Sequence, residues 1–64
     1  MIARPTSAQV EVVRYFNDGT LPSRPYGQGT YAVCERHGWI ERCDQWPYHR
    51  TTDAGREILT ASQR

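Results

Sequence analysis

The chain has 64 residues, a formal net charge of +1 and 38% hydrophobic residues. A domain this small buries only about 60% of the surface its unfolded form exposes, which leaves scant room for an enclosed catalytic site. Eight basic residues against seven acids exclude a basic block that would announce nucleic acid by charge alone, so any such affinity rests on placement.

No apolar run approaches the roughly 20 residues of a membrane span. The opening Met1-Ile2-Ala3-Arg4-Pro5 lacks the apolar centre of a signal peptide. A cytoplasmic protein with no membrane partner is expected, its two cysteines reduced. Seven aromatics supply much of the possible core, and aliphatic residues are few. A core this thin leaves open a homodimer or another protein partner that completes it.

Taken in order, residues 1–5 form an arm, because Pro5 turns Arg4 away from helical angles. Thr6 with Gln9 is a capping box, and Gln9, Val12, Val13 and Phe16 recur at the spacing of an amphipathic helix over about residues 7–17. Gly19 closes that helix. Residues 19–29 hold two prolines and three glycines, which allow no more than one helical turn: a second helix in degenerate form. Leu21 and Tyr26 are expected to pin this loop to the core.

A central helix over 28–37 follows. At about 100° per residue it places Thr30, Val33, Cys34 and His37 on one face, and Gln28, Tyr31, Ala32, Glu35 and Arg36 on the other. Gly38 suits the left-handed position that ends a helix, and Trp39-Ile40 opens a hairpin over about 39–51 that turns at Asp44-Gln45-Trp46-Pro47. Thr52 caps a last helix over 53–61, where Asp53 suits the positive helix start and Ala54 or Gly55 allows close approach. The polar tail 60–64 is expected to fray. The predicted core is Val12, Val13, Phe16, Leu21, Cys34, Ile40, Ile58 and Leu59.

The chain thus reads as one α+β domain over 1–64, in the order of a minimal winged helix-turn-helix: three helices, a two-stranded wing and a degenerate second helix. Thr30, Cys34, Arg36, Gly38, Trp39 and Ile40 resemble the pattern T-x-x-x-L-x-[RK]-x-G-L-I of MarR- and PadR-like regulators and their small phage or actinobacterial relatives. Thr52-Asp53-Ala54-Gly55-Arg56-Glu57-Ile58-Leu59 is similar to their L-T-x-x-G-R-x-x-L segment, and Thr6, Gln9, Val12 and Val13 to their first-helix opening. The resemblance spans roughly residues 6–59. Thr51 departs from it, standing where these families usually carry leucine, as does the loop 19–29. The resemblance implies a recognition helix at 28–37, a wing at 39–51 and double-stranded DNA as partner.

On that basis Gln28, Tyr31, Ala32, Glu35 and Arg36 face the major groove. Arg36 is suited to guanine, Gln28 to adenine, and Glu35 to accept from cytosine N4. Arg42, His49 and Arg50 lie on the wing with Trp46 at its tip, where arginine suits backbone or minor groove. Arg24 on the loop and Arg4 on the arm are further phosphate candidates. All the basic residues are arginine, which matches phosphate recognition and equally a GC-rich coding sequence. The same residues also read as solvated faces: Glu35 would be repelled by phosphates, and Glu41 is placed to pair with Arg50.

Cys34, His37, Cys43 and His49 form C-x2-H-x5-C-x5-H, four acceptable zinc ligands in a spacing that matches no common zinc module. With Cys34 as a small core residue and His37 near a helix C-terminus, no bound metal or cofactor is expected. Ser7 and Ser23 have no evident base or acid partner, so no enzyme is expected. The leading expectation is a transcriptional regulator or an architectural, excisionase-like factor. The rival is a winged-helix protein-interaction module, such as a phage-encoded host-modulating factor, without DNA binding. An arginine stripe over helix and wing favours the first, an exposed aromatic patch the second.

Overall fold

The computed structural model describes residues 4–62. Its elements are α1 (Ser7–Asp18), α2 (Gln28–Arg36), β1 (Ile40–Arg42), β2 (His49–Thr51) and α3 (Asp53–Ser62), an α+β arrangement of three helices and one antiparallel hairpin. Among the described residues, no helix is long and apolar enough to cross a membrane.

Each helix begins and ends where local chemistry dictates. The Gln9 N–H donates to Thr6 Oγ1 at 3.2 Å, and the Thr6 N–H to Gln9 Oε1 at 2.9 Å, so the capping box is complete. Gly19, left-handed at φ 83°, donates its N–H to the Tyr15 carbonyl. At the end of α2, Gly38 takes φ 78°. Its N–H donates to the Glu35 carbonyl and that of Trp39 to the Cys34 carbonyl, each at 3.0 Å, the paired bonds of a Schellman cap. Both flanking side chains, Cys34 and Trp39, are buried, which completes the motif's apolar contact.

The chain then makes the hairpin and returns to the same spot. Its register pairs Ile40 with Thr51, Glu41 with Arg50 and Arg42 with His49. Thr52 follows, and its N–H donates to the Trp39 carbonyl at 3.1 Å. Its hydroxyl donates to the Gly38 carbonyl and accepts the Gly55 N–H at 3.1 Å, the cap of α3. Gly55 is buried against this turn, where a Cβ would stand 2.2 Å from the Trp39 carbonyl oxygen.

α1 packs against α2, α3 and β2. The core is Val12 and Val13 of α1, Cys34 of α2, Trp39, Ile40 and Leu59, with Phe16, Tyr26, Tyr31 and Ile58 half-buried at its edge. Thr51, the departure from the leucine pattern, is buried and donates its hydroxyl to the Val13 carbonyl at 3.1 Å, so its polar atom is satisfied.

Two expectations are corrected. Leu21 is not core: it is 77% exposed. The loop is held further on, where Glu11 accepts hydrogen bonds from the Tyr26 hydroxyl and from the Ser23 N–H (3.0 Å), so Leu21 lies outside the fastening. The Tyr26 hydroxyl, then the Ser23 N–H, hold the Glu11 carboxyl below its ordinary range, and Glu11 in turn raises the Tyr26 phenol. The second correction concerns the tail. α3 runs on to Ser62, past the point where fraying was expected, with the Thr60 hydroxyl donating to the Arg56 carbonyl. Residues 63–64, and positions 1–3 of the arm, lie outside the described residues.

The buried junction yields a stability test. Gly55→Ala should cost at least about 2 kcal/mol, since the added methyl meets backbone rather than a movable side chain. Thr51→Val should cost about 1 kcal/mol through the lost hydrogen bond. Urea unfolding measures both, and an unchanged midpoint for Gly55→Ala would show that α3 does not sit on the Trp39 carbonyl.

Candidate nucleic-acid interface

The outward face of α2 follows the helical spacing. Gln28, Ala32, Glu35 and Arg36 are exposed, whereas Thr30 and Val33 are half-buried and Cys34 is buried. His37, expected on the inner face, is exposed and stacks its ring on Trp39 with centroids 4.5 Å apart. Tyr31 is half-buried, because its ring meets Phe16 edge-on at 5.9 Å. It forms the wall beside the face rather than part of an open stripe.

The hairpin register decides which of its charges reach this face. Side chains alternate across a strand, so Ile40 and Thr51 turn to the core and Glu41 and Arg50 turn away. Arg42 and His49 then turn back toward the helices. There they meet Glu35, at 3.6 Å from the Arg42 guanidinium and 3.5 Å from His49 Nε2. The His49 ring also lies 5.4 Å from Phe16. Glu41 and Arg50 form the cross-strand pair expected of them, and that contact holds the Arg50 guanidinium above its ordinary value.

A groove therefore runs between α2 and the hairpin. Gln28, Tyr31, Ala32 and Glu35 line it from the helix, and Arg42 and His49 from the strands. Tyr15 and Phe16 of α1, with Trp46 and Pro47 of the hairpin turn, complete its lining. An adjoining groove beneath the hairpin tip is lined by Arg42, Trp46, His49 and Arg50. Arg36 and Arg24 are exposed but line neither of these grooves. Sequence reasoning missed Tyr15, Phe16, Pro47 and Trp46 as lining residues. Trp46 carried a signal, being an aromatic in a turn, whereas Tyr15 and Phe16 read simply as the edge of α1.

Glu35 is already engaged. Its carboxylate stands 3.6 Å from the Arg42 guanidinium and 3.5 Å from His49 Nε2, so accepting from cytosine N4 requires it to leave these neighbours. The pairing also screens its charge from an approaching phosphate. Exposed ion pairs of this kind contribute no more than about 1 kcal/mol each, so an anionic partner can take the guanidinium over.

The four metal candidates are drawn to separate partners. Cys34 donates to the Gln9 carbonyl (3.7 Å), His37 stacks on Trp39, Cys43 donates to the Gln45 carbonyl (3.3 Å) and His49 meets Glu35. Among the described residues, no three His, Cys, Asp or Glu side chains converge in a way that would hold an ion. Compared with protein-family models, curated proteins and solved structures, the chain matches none of them.

Burial pushes the Cys34 thiol up to about 11. Its proton is bound more tightly folded than unfolded, so this contribution to stability is intact below the ordinary thiol value. It is lost as pH rises toward the folded one. Alkylation at mildly alkaline pH should therefore modify Cys43 first and Cys34 only on unfolding. Mass spectrometry of partly alkylated protein checks this, and early labelling of Cys34 would place it at the surface.

Proposed function

We propose that the chain is a small winged-helix protein that binds duplex DNA, as a transcriptional regulator or an architectural, excisionase-like factor. The observation that carries this reading is the shared groove. Gln28, Ala32 and Glu35 of α2 open onto the same concave strip as Arg42 and His49 of the hairpin, with only His37, Gly38 and Trp39 between the two elements. A helix that ends at a left-handed glycine and feeds directly into a hairpin presents both to one partner.

Binding needs no chemistry beyond an exchange of partners. The α2 face enters the major groove, with Gln28 near the helix start reaching deepest. Arg42 and Arg50 leave exposed carboxylates for phosphates, and displaced counterions make the affinity fall with salt. Arg36 lies near the other end of the helix, where a backbone contact suits it better than a base.

A second reading is favoured by one observation of its own. Trp46 and Tyr48 are 75% and 56% exposed, and Tyr15, Phe16 and Tyr31 stand in the groove wall. An aromatic surface on a chain of net charge only +1 also suits a protein partner.

A duplex titration at two salt concentrations separates the two. Arg42→Ala or Arg50→Ala should weaken binding to a specific and a random duplex alike and lower the salt slope by about one. Gln28→Ala should relax preference at a single position, by about 1–3 kcal/mol. Changes no larger than a few tenths of a kcal/mol across all three variants would refute DNA binding at this surface and leave the protein partner.

A further inference from the structure

The turn of the hairpin exposes two large aromatic rings. Trp46 is 75% exposed, whereas Trp39 is buried at 7%. Tryptophan is on average a well-buried residue, and a hairpin turn is ordinarily built from small polar residues that tolerate water. Here the turn spans 43–48, Trp46 stands in its middle, and Tyr48 beside it is also exposed. The groove beneath the tip is lined by Arg42, Asp44 and Arg50, and each guanidinium rests on an exposed carboxylate that a phosphate can replace, Arg42 on Glu35 and Arg50 on Glu41. A flat π-surface flanked by two such exchangeable guanidiniums complements an aromatic base with its phosphates.

We propose that Trp46 is the hairpin's own nucleic-acid contact, its indole wedged at a base step in the minor groove of duplex DNA while Arg42 and Arg50 hold the neighbouring phosphates. The assignment rests on the DNA-binding function proposed above and adds to it a residue and a mode of contact, an aromatic wedge. Dimensions favour the tip over the strands. The minor groove is about 6 Å wide. Two paired strands with their side chains are too broad for it, but a ring about 3.5 Å thick enters. The strands are only three residues long, so the tip projects a short distance beyond the Arg42–His49 pair. Insertion of an apolar side chain at a base step unstacks it partly and bends the duplex. The contact is then read through deformability rather than hydrogen bonding, so flexible pyrimidine–purine steps are preferred. Asp44 is the one acid in this groove, and its charge limits affinity for any phosphate nearby.

The chain has two tryptophans, one buried and one exposed, which makes the test direct. Acrylamide quenching of the free protein reports Trp46, and Trp46→Phe retains only the shielded Trp39 signal. Adding a short duplex at low salt should reduce wild-type quenching to the level of Trp46→Phe. Trp46→Ala should lose about ten-fold in affinity or more, with the salt slope unchanged, and Trp46→Phe should retain most of the binding. Because the ring is exposed, both variants should melt at the wild-type temperature. If wild-type protein binds the duplex while quenching stays the same and Trp46→Ala binds equally well, the Trp46 contact is wrong and DNA binding stands. If wild-type protein binds no duplex at either salt concentration, DNA binding itself is wrong, and the exposed ring belongs to a protein surface.

Discussion

A single hydroxyl group governs how this small molecule is put together. Thr52 donates to the Gly38 carbonyl and accepts the N–H of Gly55, while its own N–H reaches the Trp39 carbonyl. The turn that ends α2 and the turn that begins α3 are thereby one structure. Between these two visits the chain makes the hairpin, so the hairpin is clamped at its base and free at its tip. Gly55 completes the clamp, because any larger residue would push the helix off the Trp39 carbonyl. A chain with so few aliphatic residues relies on such backbone convergence where a larger domain would rely on a deeper core.

The electrostatics follow from the same geometry. With the hairpin base clamped, its register brings Arg42 and His49 to Glu35 and sends Arg50 and Glu41 outward. Arginine and carboxylate are paired on both sides of the hairpin, and the molecule carries almost no net field. Such a surface exerts little long-range pull on a polyanion, and an anionic partner of the kind proposed would have to displace each pair at contact. Near neutrality of this kind selects for close fit over electrostatic capture.

Much of the fold was legible because it is local. Thr6 with Gln9, Gly38, Thr52 with Gly55, and the absence of a helix across the prolines of 19–29 are all decided within a few residues. The helix spans agree with the sequence to within a residue or two. What escaped was non-local. Leu21 looked like an anchor on apolarity alone, but the loop is fastened through Glu11, twelve or more residues away in sequence. Trp39 is absent from the core that the sequence predicts, whereas the Schellman turn places it among the buried residues. The site was legible as two separate faces. That Glu35 would be occupied by Arg42 and His49 depends on strand register and on the angle at which the hairpin leaves Gly38, neither of which periodicity contains. Tyr15 and Phe16 escaped for a related reason: helical spacing marks the inward stripe of α1, but not which flank its neighbours leave open.

Tyr48 holds a left-handed backbone at φ 72°, a conformation that L-residues other than glycine, asparagine and aspartate adopt at a cost of about 1 kcal/mol or more. Its carbonyl accepts the Cys43 N–H and its own N–H donates to Gln45, so the hydrogen bonding of the turn needs nothing from the ring. Selection for heat resistance alone would thus drift toward glycine or asparagine at position 48, and would strip an aromatic from the hairpin end while improving the melting curve. Backbone stability and the exposed aromatic surface of the hairpin pull in opposite directions at this residue.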